Sequence, residues 1–499
     1  MQGLLACANL RCPRRRASYC IFILVIALVT YGSVLYLTRQ PDPRIFLTPR
    51  PSSYRKKTEF FEWQTSSLFY PVSQNTTGKS TEELCRSFPR EVLQTIQPIL
   101  RIGHSDVGKP AIDAQLNSVS ACLDNLVIFS DTTEDVTKDH VSIDVLADVS
   151  QFYRQESSEF RKNYDALRKA QVSGRPDASF DGKVLDKYKF LPMIERAWKM
   201  RPERPWYIFY EVDTYIFWDN MLRFLDKFDP DHPLYIGSPS RGRSRPDSGA
   251  RSYFANGGPG IIMSRGAMKK FLERKVGTDG EYTDAPLAEQ WADHVVEDCC
   301  GDSVLGWALY FAGIPVSGFW PMFNPHPAHG LAYSEDYWCQ PILTLHKTKH
   351  EDVVDLWKWE AEHRQQEMPL LHRDLYDFKR VEVDGMLEDW DNGSWGKFRR
   401  SWKKIENDKK ATAAKTPTDC LAACQANSRC AQWTHHGEEC TLARSFMHGL
   451  ARKPESVGTL GLQQEKYTSG WMPERIDKWR SDHSCPKVQW VRASITRVW

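Results

Sequence analysis

Glu211 and Asp213 close an apolar, aromatic run, Trp206-Tyr207-Ile208-Phe209-Tyr210, and are separated by the single residue Val212. Side chains at i and i+2 of an extended segment point the same way, so both carboxylates can face one divalent cation. Such a hard cation also recruits phosphate oxygens. A run of about five such residues reads as a buried strand, and open α/β sheets present ligands at the carboxyl ends of their strands. The pair thus has the spacing of an acid-x-acid element that holds a metal and a diphosphate. An isolated triplet of this kind is common, so its surroundings carry the argument.

Those surroundings alternate strands with helices. Residues 123–131, Leu-Asp-Asn-Leu-Val-Ile-Phe-Ser-Asp, form a second strand candidate that ends in an acid, Asp131. Leu191, Ile194 and Trp198 recur at helical spacing, and so do Phe217, Met221, Leu222, Leu225 and Phe228. The acidic pair therefore lies between a strand and a helix, which Pro230 and Pro233 terminate. Leu234-Tyr235-Ile236-Gly237 reads as another short strand. The alternation predicts an α/β domain with a mostly parallel central sheet flanked by helices. Asn256-Gly257-Gly258-Pro259-Gly260 then precedes Ile261-Ile262-Met263-Ser264. Glycines there permit close backbone approach to a ligand or simply form a turn.

At 499 residues the chain is long enough for roughly two to four domains. Its 66 basic and 64 acidic side chains nearly cancel, so bulk charge does not point to nucleic acid. Residues 19–37 carry no charge, about the length that spans a bilayer, and follow Arg11, Arg14, Arg15 and Arg16. The positive-inside rule predicts a cytosolic tail at 1–18, one transmembrane signal anchor at 19–37 and a luminal remainder. A cleaved signal peptide competes with this, but the stretch is long for one and no small-x-small cleavage site follows. Residues 38–80, rich in Pro, Ser, Thr and basic residues, are expected to form a flexible stem. Three of the 13 cysteines, Cys7, Cys12 and Cys20, precede or enter the anchor; the other ten suit disulfides in an oxidising lumen. Two sequons, at Asn75 and Asn392, are consistent with glycosylation there.

Four ordered blocks across residues 120–360 resemble the inverting family 31 glycosyltransferases, in the branch of core 1 β-1,3-galactosyltransferase and fringe-like enzymes. They are Glu211-Val212-Asp213-Thr214-Tyr215, then Phe254-Ala255-Asn256-Gly257-Gly258-Pro259-Gly260-Ile261-Ile262-Met263-Ser264, Gly301-Asp302-Ser303-Val304-Leu305-Gly306-Trp307-Ala308-Leu309 and Leu343-Thr344-Leu345-His346. Two departures stand out. Glu211 and Val212 replace two aspartates of the acidic block, and Glu297-Asp298 offers a second Glu-Asp near the third. Gly306 stands four residues beyond Asp302, as the family spacing requires, so Asp302 is preferred to Asp298 as general base. The resemblance implies a GT-A type domain over 81–365 in the Golgi membrane, moving a hexose, galactose first, from a UDP-sugar to a glycan or glycoprotein in β-1,3 linkage. It further implies Mn²⁺ held by Asp213, Glu211 and His346, with Asp131, Gly257 and Gly258 near the nucleotide-sugar. Mn²⁺ suits such oxygen and imidazole ligands, and a bound cation offsets the charge of a departing diphosphate.

After a polar extension at 366–415, Cys420-x3-Cys424-x5-Cys430 with Trp433 and Cys440 resembles a PAN/apple domain over 416–499, a small disulfide-rich α+β module that would bind carbohydrate or protein. Four cysteines allow three pairings, and a zinc site competes, although an oxidising lumen favours disulfides. Cys485 is expected to pair outside this module, and Cys299 and Cys300 each with a separate partner. The opposing functional class is a non-catalytic, membrane-anchored binding protein on a degenerate transferase fold, which the Glu211-Val212 departure favours.

Overall fold

Trp206, Ile208 and Tyr210 pack into one hydrophobic cluster while Tyr207 and Phe209 pack into another, so the apolar run ahead of Glu211 is a strand buried on both faces. In this computed structural model the described residues are 60–497 apart from 71–74, 155–157, 174–179, 246–247, 379, 381–385, 394–411 and 458–462. They belong to one compact unit, Phe60–Trp499. The central sheet has eight strands: β1 (Ile96–Arg101), β2 (Val127–Ser130), β3 (Asp135–Thr137), β4 (His140–Asp144), β5 (Trp206–Glu211), β6 (Tyr235–Ser244), β7 (Arg251–Ser264) and β8 (Val316–Gly318). Their order is β8-β6-β7-β5-β1-β2-β4-β3. The β8/β6, β5/β1, β1/β2 and β2/β4 pairings are parallel. The β6/β7, β7/β5 and β4/β3 pairings are antiparallel. The sheet is therefore mixed, where the strand–helix alternation predicts a mostly parallel one. The reason is local: β6 and β7 are joined without an intervening helix, and a direct connection returns antiparallel.

On one face lie α1 (Glu159–Ser173), α2 (Gly182–Met200) and α3 (Gly301–Phe311), whose apolar sides share a cluster with Ile99, Phe129, Phe209 and Ile261. The other face is covered by the helices Pro110–Leu116, Trp218–Leu225 and His350–His363. Trp218–Leu225 is the helix foreseen after the acidic pair, and α2 the one foreseen before it. A small three-stranded sheet, Phe323–Asn324, Thr344–Leu345 and Tyr215–Ile216, lies beside the end of β5.

The domain edges differ from expectation. Residues 60–70 are not spacer: Phe60-Phe61 pair antiparallel with Trp490-Val491, Phe69 is buried, and Ser67 donates to Asp219 at 2.6 Å. Their aromatic content gives them apolar surface to bury. The C-terminal sheet begins inside the supposed extension, with Met386–Glu388 paired to Tyr467–Trp471. Its five antiparallel strands run Met386–Glu388, Tyr467–Trp471, Gln432–His436, Glu439–Ala443, Thr412–Ala413. The helix Pro417–Ala426 packs against them.

All ten cysteines beyond residue 37 are paired: Cys85–Cys122, Cys299–Cys300, Cys339–Cys485, Cys420–Cys440 and Cys424–Cys430. The zinc reading of the C-terminal cysteines gives way to two disulfides. Cys485 pairs outside the module, as foreseen. Cys299 and Cys300 pair with one another, correcting the expectation of separate partners. Cys339–Cys485 spans 146 residues and ties the C-terminal region to the rest; in the chain-entropy view a closure of that length is worth about 5 kcal/mol. Asn392 is fully buried, its side-chain amide donating to the Gly470 carbonyl at 3.2 Å, so the folded chain does not offer that sequon for glycosylation. Asn75 is exposed. Among the described residues no helix is long and apolar enough to cross a membrane. The expected tail and anchor at 1–37 lie outside the described residues.

Candidate active site

The β6/β7 ladder skips from Gly237↔Ile261 to Ser238↔Asn256, so residues 257–260 bulge out of it. The pairing of β5 with β7 stops at Phe209↔Ile261, which leaves the bulge lying over Tyr210 and Glu211. Gly260 closes it at φ +94°, in the left-handed region that favours glycine. The Thr214 hydroxyl ties the bulge to the turn after β5, donating to the Gly258 carbonyl at 2.6 Å.

His346 arrives from the opposite side. Thr344↔Ile216 and Leu345↔Tyr215 are cross-strand partners, so the next residue falls beside the Glu211–Asp213 turn. The Thr348 N–H fixes the register by donating to the Asp213 carbonyl at 3.0 Å. Lys347, at φ 58°, turns the chain sharply after the imidazole. His346 Nε2 lies 3.3 Å from an Asp213 oxygen and 3.5 Å from Glu211 Oε2. The three groups present ligand atoms within 4.8 Å of one another. Octahedral coordination at about 2.1 Å sets neighbouring ligand atoms about 3 Å apart, so this donor set fits a small divalent cation. Gly258 explains how the ring fits: a Cβ there would lie 2.6 Å from His346 Nε2 and closer still to Cε1 and Nδ1. The close approach expected of the glycines is thus made by a protein side chain. Gly257 likewise faces Phe190 and Glu211.

Val212 points the other way, packed against the hydrophobic core. Residues 212 and 213 already belong to the turn after β5, and the apolar side chain takes no part in the Glu211, Asp213 and His346 group.

Asp302 stands in the first turn of α3, with Cys300 rather than Asp302 at the N-cap. Its Oδ2 accepts the Gly257 N–H at 2.8 Å. Gly306, one turn later on the same helix face, sets this distance: a Cβ there would collide with Phe254 of β7, three residues before Gly257. Asp298 is engaged elsewhere. Arg243 Nε donates to its Oδ2 at 2.8 Å and the Ser303 hydroxyl at 3.2 Å. Asp302, not Asp298, therefore lies beside the glycine bulge.

The electrostatics separate the three carboxylates. Burial opposes ionisation of Glu211, but Arg101 and His346 outweigh it and hold its carboxyl down at about 2. Burial also opposes charge on His346, yet the hydrogen bonds it donates to Asp213 and Glu211 outweigh that and raise it to about 9. Asp302 goes the other way: burial, reinforced by the Glu211 charge, pushes it up to about 6 against the Gly257 and Ser303 N–H groups.

Asp131 differs from expectation. It is fully buried; the His104 backbone N–H donates to Oδ1 at 2.7 Å and Lys189 Nζ lies 3.3 Å from Oδ2. Its carboxylate organises the loop after β1 and a buried lysine rather than facing a nucleotide. Sequence reading missed Arg101, Asp186 and Lys189. Arg101 was findable by the reasoning applied to Glu211, since it is the charged residue at the carboxyl end of Ile96–Arg101; the two are cross-strand partners. Its guanidinium bonds Glu211 and lies 3.4 Å from Asp186.

Residues 163–310 match the Fringe-like family model. The matched segment contains α2, Glu211, Asp213, the glycine bulge and Asp302, while His346 lies beyond it. The match supports a glycosyltransferase, which binds a sugar donor and an acceptor. The mixed α/β sheet is consistent with a GT-A-like domain.

Proposed function

We propose that this chain is a metal-dependent, inverting glycosyltransferase that moves a hexose, galactose being the first candidate, from a UDP-sugar to a hydroxyl of a glycan or glycoprotein, forming a β-1,3 linkage. The observation that carries the reading is the meeting, across Gly257 and Gly258, of a three-donor cation site with a separately buried carboxylate of raised pKa. Asp213, Glu211 and His346 would hold the cation, with Mn²⁺ the first candidate. When bound, it would supply Lewis-acid stabilisation to the leaving diphosphate. Asp302 serves as base: as the acceptor oxygen bonds to the anomeric carbon and the bond to the diphosphate breaks, the hydroxyl proton passes to its carboxylate. At about 6, its pKa leaves it ionised at neutral pH yet basic enough to take that proton. The Gly257 N–H orients the oxygen that would do so. Val212 packed against the core argues against a degenerate site, because Glu211, Asp213 and His346 come together without a polar group at that position.

Topologically, we read the chain as a single-pass type II Golgi membrane protein with its catalytic part luminal, which the basic tail and apolar 19–37 stretch support. The C-terminal α+β region, with one helix stapled to an antiparallel sheet, supports a PAN/apple-like module that binds the acceptor's carbohydrate or protein part. UDP release measured with a panel of UDP-sugars and Mn²⁺, with and without EDTA, tests the reading. Metal-dependent release from one sugar is expected; equal release with EDTA refutes the metal role.

A further inference from the structure

Besides the ligand His346, Arg101 is the one basic side chain recorded in direct contact with a carboxylate of the candidate cation site, among the described residues. It projects from the strand beside β5, where Arg101↔Glu211 is the last paired position. Its side chain is 10% exposed, its guanidinium carbon lies 4.5 Å from the centre of the Phe190 ring, and Asp186 holds its other nitrogen at 3.4 Å. The fork is thus fixed from three sides. It engages Glu211 Oε1, while Oε2 is the oxygen turned toward His346. A cation entering here meets one free Glu211 oxygen, the Asp213 carboxylate and an imidazole, with a fixed positive charge behind them. With the imidazole neutral, as a metal ligand must be, two carboxylates less one guanidinium leave one net negative charge to face a divalent ion.

We propose that Arg101 makes cation binding at this site depend on the donor's diphosphate. Arg101 occupies one carboxylate oxygen and repels the ion, so the protein alone is a weak site; the diphosphate supplies the missing negative charge and oxygens. Cation and nucleotide then enter as a unit, and an idle site does not hold metal. By reciprocity the metal must tighten the nucleotide by the same factor. The inference rests on the metal-dependent reading above.

The test measures Mn²⁺ binding to the full chain by the electron paramagnetic resonance signal of free Mn²⁺, with and without UDP, so no turnover is needed. For the wild type, UDP is expected to tighten Mn²⁺ by about tenfold or more. In Arg101→Gln, Mn²⁺ alone binds about tenfold tighter, the scale of removing one unit charge from a partly buried neighbour, and the gain from UDP shrinks. Arg101→Lys, which keeps the charge, retains most of the coupling. Tighter metal binding is not a result that damage to the fold produces. The proposal is overturned if UDP leaves wild-type Mn²⁺ affinity unchanged, a result that needs no variant. It is also overturned if Arg101→Gln binds Mn²⁺ no more tightly than the wild type. If neither the wild type nor Asp213→Ala binds Mn²⁺ under any condition, the metal reading itself falls and this inference with it.

Discussion

Replacing Gly258 by alanine adds one methyl group, and the structure says what that methyl meets. The new Cβ would stand 2.6 Å from His346 Nε2 and nearer to two other ring atoms, and real Cβ atoms do not approach so closely. Ordinary contact needs about 3.5 Å, so the ring must retreat by about 1 Å. The backbone at Gly258 is not in the left-handed region, so alanine brings no φ strain and the effect reports the contact alone. A displacement of about 1 Å in a catalytic constellation costs on the order of 10²-fold in rate, and disturbing a ligand's support costs about 10- to 100-fold in metal affinity. We therefore expect Gly258→Ala to lose about 10²-fold in kcat/KM and at least tenfold in Mn²⁺ affinity in the presence of UDP. Gly257→Ala is the control. Its Cβ would meet the edge of Phe190 at 3.0 Å and Glu211 at 3.4 Å, which shifts of a few tenths of an ångström relieve, so less than a tenfold loss is expected. Both variants are assayed for Mn²⁺ binding, for UDP release and for melting temperature. Equal effects of the two substitutions, or wild-type metal binding in Gly258→Ala, would refute the placement of His346 against the bulge.

Asp302→Asn is expected to lower kcat about 10²- to 10⁴-fold while leaving UDP binding intact. Because burial raises the Asp302 carboxyl to about 6, wild-type kcat/KM should fall as pH drops through that value. The same shift has a stability consequence of fixed sign. A folded pKa above the unfolded one contributes stability below the unfolded pKa, and that contribution is lost as pH rises through about 6. Asp302→Asn should therefore be more stable to unfolding than the wild type above pH 6, by up to about 3 kcal/mol, with the gap closing below pH 4. In cells that glycosylate the chain, Asn75→Gln should remove an endoglycosidase-sensitive mobility shift and Asn392→Gln should not. Loss of the buried Asn392 hydrogen bonds is expected to cost about 1–3 kcal/mol in chemical denaturation.

What the sequence disclosed best were features fixed by local pattern. The apolar run into Glu211 is a strand because both of its faces are buried, and residues 191–198 and 218–225 lie in helices where their spacing put them, with Phe217 at the N-cap and Phe228 beyond the second helix's end. The neighbourhood of Glu211, Asp213 and His346 was legible only through block order, since 132 residues lie between Asp213 and His346 and no periodicity links them. Asp131 misled because an acid after a strand reads alike whether it faces a ligand or a buried lysine. The glycine bulge was seen as a turn or a ligand cradle, while its contact with His346 depends on a register shift between β6 and β7 that composition does not encode. Arg101 and Lys189 escaped because single basic residues are too common to single out, and their partners come from other strands and from α2. The mutual pairing of Cys299 and Cys300 reversed an expectation drawn from how adjacent cysteines usually behave.

The most direct test of the account compares UDP-sugar turnover by the full chain with that of Asp213→Ala and Asp302→Asn, each with Mn²⁺ and with EDTA. The account predicts that wild-type UDP release from one sugar requires Mn²⁺, that Asp213→Ala loses both release and metal binding, and that Asp302→Asn loses release while still binding Mn²⁺ with UDP. Metal-independent release, or full activity in Asp302→Asn, would contradict it.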